Sequence, residues 1–165
     1  RVFVAGDANG KEPILHVAKE QGYTAAENVL ADIAGEPLTE YDPTSHHVMF
    51  SGAAVYPYAR VGHTADSAAD AGYDAVTVRR YAEDDGVFKT KVASRGLATL
   101  TVDATDGSVL GYQGFHYHAD AMAKTMQILV EQGADVRNVP DRAYHPTTPE
   151  ILDGLFREAS AAVEE

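Results

Sequence analysis

The clearest chemical signal in this 165-residue chain is a short run near its end, His145-Pro146-Thr147-Thr148-Pro149-Glu150. Pro146 disfavours the helical conformation for His145, so the imidazole stands on an extended residue just ahead of a helix. Glu150 falls in the first turn of that helix, where its carboxylate can accept a hydrogen bond from one ring nitrogen. A carboxylate that orients an imidazole makes a general base, because it selects the tautomer and stabilises the imidazolium. The same spacing also serves structure. Thr147-x-x-Glu150 fits a capping box, and Thr148 before Pro149 fits an N-cap followed by proline at the first helical position. Spacing alone leaves both readings open.

A second candidate lies at the other end. Val2-Phe3-Val4-Ala5 is an apolar, β-prone run that ends at Gly6-Asp7, and it reads as a buried parallel strand. In open α/β sheets ligands bind beyond the carboxyl ends of the strands. An aspartate there can accept hydrogen bonds from a ligand's hydroxyls, and the following helix can offer N–H groups. Gly-Asp is also a common turn. The remaining histidines say less. His116 and His118, two apart, share a face if the chain is extended, and such a pair can bind metal. No third ligand follows at a metal-site spacing, so the competing reading is an edge strand with polar tips. His46-His47 lies in a polar stretch, His16 in an apolar helix and His63 just before a short helix. None of these implies a role, and no metal site is assigned.

Composition bounds the function. The formal net charge is −12, which argues against nucleic acid as a partner, since phosphate binding needs clustered Lys and Arg. Hydrophobic residues make up 45% and charged residues 23%, ordinary for a globular protein of one domain. No apolar run reaches the length of about 18 residues that a membrane span needs, and no basic leader opens the chain. The expected location is cytoplasmic. There is no cysteine, so this chain contains no disulfide, zinc thiolate or cysteine nucleophile.

These candidates need elements to position them. A helix follows Pro13, with Ile14, Val17, Ala18, Ala25, Ala26, Val29, Leu30 and Ile33 at helical spacing, and Gly35-Glu36-Pro37 closes it. Residues 38–46 are Thr-, Asp- and Pro-rich and read as a linker. Beyond it, 48–50 and 58–61 read as short strands. Thr64 is an N-cap for a helix reaching Gly72. Strands are expected over 73–81, 87–93, 97–103 and 109–115, with turns at Arg95-Gly96 and Thr105–Ser108. A helix from about 120 to 132 carries Met122, Met126, Leu129 and Val130, with Gly133 as its C-cap. A last helix from Pro149 carries Ile151, Leu152, Leu155 and Phe156. The fold class is α+β, a mostly antiparallel sheet with helices on one side, preceded by a strand–helix piece. The expected organisation is 1–37, a linker at 38–46, and 47–165.

In this order and spacing, the segments resemble the C-terminal part of the FAD-dependent pyridine nucleotide-disulfide oxidoreductases, the family of dihydrolipoamide dehydrogenase and of glutathione, mycothione and mercuric reductases. Residues Val2 to Asp7 resemble the family's second flavin-binding motif. The resemblance places Gly6 and Asp7 beside FAD, Asp7 at the ribityl chain. Pro13 to Ala18, with Leu15, His16 and Ala18 as cofactor-contacting positions, is similar to the helix beneath the flavin ring. Phe50-Ser51 and Ala59-Arg60-Val61-Gly62 resemble the start of the interface domain. Ala143 to Glu150 is similar to the family's His-Pro-Thr-x-x-Glu signature, which makes His145 the acid/base and Glu150 its partner.

The resemblance implies a C-terminal dimerisation fragment whose residues 1–37 are the tail of a FAD domain. It implies FAD and NAD(P)H as cofactors of the intact enzyme, with the nicotinamide site outside this chain and no turnover by the fragment alone. The partners implied are a second copy of the chain and a disulfide or dithiol substrate, small or protein-bound. The acceptor and the choice of NADH or NADPH stay open. The alternatives are a free-standing interaction module sharing the fold, and a His-cluster metal protein.

Overall fold

A computed structural model describes residues 1–42, 55–142 and 145–164. The chain divides into two units, Arg1–Pro43 and Thr44–Glu165.

The first unit is one long helix, α1 (Leu15–Ala34), with the segments that flank it. Ile14 precedes it in extended conformation, and Gly35 ends it with φ near 75°. The Gly35 N–H bonds Asp32 C=O and the Glu36 N–H bonds Ala31 C=O, a Schellman closure that suits glycine. The expected strand at Val2–Ala5 does not form. The run pairs with no strand among the described residues, and Val2 and Val4 are exposed. A parallel strand needs neighbours on both sides, and this unit contains no other strand among its described residues. The expected apolar face of α1 is also displaced. Val17, Gln21 and Asn28 are its buried residues, whereas Leu15, Val29, Leu30 and Ile33 are exposed. The reason is local. The segments before and after α1 bring backbone polar groups against one face, and amide side chains satisfy them. Asn28 both donates to Thr39 C=O and accepts from Thr39 N–H, each at 2.8 Å.

The second unit is built on a four-stranded antiparallel sheet. Its strands are β1 (Tyr58–Gly62), β2 (Ala75–Tyr81), β3 (Gly96–Asp103) and β4 (Val109–His116), in the order β1-β4-β3-β2. Period-2 alternation sets its two faces. Val61 and Leu100 both lie opposite Tyr112, and Val78 lies opposite Leu100. These side chains face the core. The alternate row carries Arg60, Gln113, Thr99 and Arg79, and Thr99 donates to Gln113 at 2.9 Å. The β3–β4 turn is closed by Gly107, at φ 80°, whose N–H bonds Asp103 C=O.

Two longer helices cover the core face: α4 (Ala119–Glu131), through Met122 and Met126, and α5 (Glu150–Glu164), through Ile151, Leu152, Leu155 and Phe156. α4 ends in a second Schellman closure at Gly133. The short helix α2 (Ala65–Asp70) starts in a full capping box between Thr64 and Ser67.

The strand expected over 87–93 is instead a short helix, α3 (Gly86–Thr90). Asp85 decides this. Its Oδ1 accepts from the N–H groups of Val87 and Phe88, at 2.9 and 3.1 Å, which fixes a helical first turn. Phe88 is then buried in the core. The expected strand at 48–50 and the histidines His46-His47 lie outside the described residues. No described helix is long and apolar enough to cross a membrane.

Candidate active site

α5 begins at Glu150, and the chain leading into it turns back on that residue. The Glu150 N–H bonds Thr147 C=O and the Leu152 N–H bonds Pro149 C=O. The His145–Pro146 bond is cis. His145 Nδ1 lies 2.8 Å from Glu150 Oε1. The same oxygen accepts the Thr147 N–H at 3.3 Å, the carboxylate half of the capping box. One carboxylate oxygen thus meets both the backbone ahead of α5 and the imidazole.

The tautomer of the neutral ring follows from the partner. A carboxylate only accepts, so in that form Nδ1 carries the proton and Nε2 keeps its lone pair. The His145 side chain is 76% exposed and that of Glu150 23%. The imidazole is thus presented outward on a partly sheltered carboxylate. Next to it, α4 and α5 enclose a groove of about 360 Å³, lined by Met122, Leu129, Pro149, Leu152 and Phe156. Asp153 also lines it, and burial raises the pKa of that carboxyl.

The residues read as flavin-contacting lie in the first unit. Gly6 opens a 3-10 turn, Gly6–Asn9, at φ 71°. Its N–H bonds Gln21 Oε1 at 2.7 Å, and the Asn9 side-chain amide bonds the same oxygen at 2.8 Å. A Cβ on Gly6 would stand 3.3 Å from Ala18 Cβ, so Gly6 and Ala18 pack closely because both are small. Asp7 and Leu15 are exposed and His16 is half-buried. The N-cap residue of α1, Ile14, makes no side-chain capping bond, and the first turn carries no acidic residue. Gln21 escaped sequence reasoning. Its signal was a polar residue one turn beyond Val17 on the same helix face, easily taken for a surface position.

The histidine pair at the end of β4 shares neither a face nor an edge strand. β4 is an inner strand, not an edge. His116 is buried in the core, while His118 is exposed and turns into the left-handed region at φ 64°. Among the described residues no group of three or more His, Cys, Asp or Glu side chains is placed to hold a metal.

Residues 49–155 match the family model of the pyridine nucleotide-disulphide oxidoreductase dimerisation domain. The chain belongs to that family. It is 25% identical to dihydrolipoyl dehydrogenase 2, chloroplastic, of Arabidopsis thaliana and 27% identical to the dihydrolipoyl dehydrogenase of Synechocystis, in each case over 96% of its own length. It spans only 28% and 33% of those two proteins. Among solved structures it is similar in fold to LpdA of Mycobacterium tuberculosis, at 17% identity and a TM-score of 0.70, over 93% of this chain and 32% of that one. It is also similar to the flavoprotein disulfide reductase RclA of Escherichia coli, at 21% identity and a TM-score of 0.67, over 93% of this chain and 34% of that one.

Proposed function

We propose that this chain is the C-terminal, dimer-forming part of a FAD-dependent NAD(P)H:disulfide oxidoreductase resembling dihydrolipoamide dehydrogenase. In it, His145 is the acid/base and Glu150 holds it. The observation that carries this reading is the 2.8 Å Nδ1–Oε1 bond on an exposed histidine at the head of α5. Nε2, left with its lone pair, takes the proton from one thiol of a dithiol so that the thiolate can attack a disulfide. The imidazolium stays beside the Glu150 carboxylate and returns the proton to the departing thiolate.

This chain has no cysteine of its own. The thiols it serves are assigned to a second copy of the protein, which makes the dimer part of the catalytic unit. By itself the chain has nothing to oxidise or reduce. FAD, when bound, supplies the two-electron step between nicotinamide and disulfide. The first unit fits such a group. The small pair Gly6 and Ala18 lets the backbone and α1 come together, and Asp7 is exposed as an acceptor. The residues that would hold it are Gly6, Asp7, Leu15, His16 and Ala18. The NAD(P)H site is assigned to residues outside this chain.

In the intact protein, His145→Ala should slow dithiol–disulfide exchange by roughly 10²- to 10⁴-fold, the usual worth of a positioned general base. Reduction of the flavin by the nucleotide should stay within about twofold of wild type, because a general base speeds only the step in which it moves a proton. Rapid-mixing kinetics separate the two half-reactions. Equal losses in both would overturn the role given to His145.

A further inference from the structure

A second imidazole in the sheet unit, His116, is enclosed where His145 is open. His116 ends β4 with no solvent exposure. Its Nδ1 lies 3.0 Å from the Tyr117 carbonyl. A carbonyl only accepts, so Nδ1 carries a proton, and in the neutral ring Nε2 does not. Nε2 lies 2.8 Å from Tyr112 Oη and accepts from that hydroxyl. Phe88 meets the ring edge-on, with centroids 5.4 Å apart. The backbone makes room for this pair. A Cβ on Gly114 would overlap the Tyr112 hydroxyl and stand 3.0 Å from His116 Nε2. In the neutral ring both nitrogens are bonded, Nδ1 donating to the Tyr117 carbonyl and Nε2 accepting from the Tyr112 hydroxyl, whose proton has no other acceptor among the described residues if Nε2 is itself protonated.

The pair sits at a junction. Tyr117 and His118 are the only residues between β4 and α4, and their rings stack with centroids 3.7 Å apart. The His118 C=O accepts the Ala121 N–H in the first turn of α4. The Tyr117 carbonyl held by His116 therefore helps to set how α4 leaves the sheet.

We propose that the His116–Tyr112 pair is an acid-sensitive latch, holding α4 on the sheet while His116 is neutral and releasing it when Nε2 takes a proton from solvent. Protonated Nε2 can no longer accept. Tyr112 must turn its oxygen toward the new N–H, and its own proton then loses its acceptor inside the core. Burial of the ring lowers the His116 pKa, against smaller opposing effects from the Tyr117 carbonyl and Asp85. The charged groups around the pair do not rescue the imidazolium. Asp85 is spent on the N–H groups of Val87 and Phe88, and its field and that of Asp120, in the first turn of α4, reach the pair only as weaker contributions. His118 adds a like charge when it too is protonated. Because the folded state binds this proton less readily than the unfolded state, stability from the latch is complete above about pH 6.5. It is lost as the pH falls below that value.

Hydrogen exchange of the intact protein, followed by mass spectrometry from pH 7.5 to 5.0 and corrected for the intrinsic rate, tests this. The opening constant of peptides within 109–131 should rise by up to about tenfold per pH unit below about pH 6.5, the slope for one linked proton. His116→Gln cannot titrate in this range and should flatten that rise. Unchanged protection in wild type, or the same rise in His116→Gln, would overturn the proposal. If the variant does not fold, the ring resonance of His116 in wild type decides. A ring that stays neutral until the native signal is lost supports the latch. A ring that titrates near pH 6.5 within the native fold overturns it.

Discussion

The two units of this chain solve the same problem, how to hold a helix, in opposite ways. In the sheet unit α4 and α5 bury their apolar faces on one side of four paired strands, and the core closes around Leu100, Tyr112, Met126 and Leu155. In the first unit α1 is held by amides. Gln21 ties down the Gly6–Asn9 turn, and Asn28 ties down Thr39, while Leu30 and Ile33 stay exposed. The sheet unit carries its own core. The first unit has satisfied backbone groups and almost no apolar burial, so its order rests on hydrogen bonds that each contribute only about 1 kcal/mol net. The division of labour proposed for them follows the same line: His145 stands at a firm helix terminus in the sheet unit, and the first unit brings small residues together around Gly6 and Ala18.

The largest difference should come from cutting the two apolar sets in turn. Leu100→Ala should cost about 2–5 kcal/mol in urea unfolding, as for other buried leucines. Ile33→Ala, at 80% exposure, should stay within about 0.5 kcal/mol. Similar costs would mean that α1 is covered in solution and that the contrast between the units is false.

Next in size is the amide anchor. Gln21→Ala leaves the Gly6 N–H and the Asn9 amide without their acceptor. It should cost about 1–3 kcal/mol locally, read as faster exchange of the amides at 6–10 with little change in the sheet. A loss of protection that spreads into β3 and β4 would show that the units do not respond separately.

The smallest structural effect is expected at the functional terminus. His145 is mostly exposed, so Glu150→Gln should change stability by no more than about 1 kcal/mol. It should still slow dithiol–disulfide exchange by about tenfold, the kinetic equivalent of about 1.4 kcal/mol, because the carboxylate that steadies the imidazolium is gone. A large stability loss with no kinetic effect would reduce Glu150 to a helix cap.

Much of the sheet unit was legible in the sequence because its patterns are local. Strands expected over 97–103 and 109–115 are β3 and β4, the Thr105–Ser108 turn joined them, and the apolar spacing of α4 and α5 held through to the core. The failures were tertiary or hung on one side chain. Val87-Phe88 reads as strand by propensity, but Asp85 bonds two backbone N–H groups and makes a helix of it. Val2–Ala5 reads as a buried strand, and a strand cannot form without a neighbour. The face that α1 buries was misread because backbone groups, not apolar side chains, arrive there. His116 and His118 share a face only if the chain is extended through both, and His118 instead turns into the left-handed region beyond the end of β4. At the candidate site, the spacing from His145 to Glu150 was enough to anticipate the bond between them. The role of Gln21 was not, because nothing in its neighbours shows which backbone groups will need an acceptor.

The central claim is that His145 serves thiols on a second copy of the protein, and subunit mixing tests it most directly. One inactive intact protein carries His145→Ala; the other keeps His145 but has its redox cysteines replaced. Neither has a complete site as a homodimer. If the base acts across the dimer, dissociating and reassociating the mixture restores activity, since each heterodimer then contains one site with both thiols and base. The account predicts recovery to roughly a quarter of wild type, the share set by random pairing in a C2 dimer. No recovery, with heterodimers shown to have formed, would contradict it.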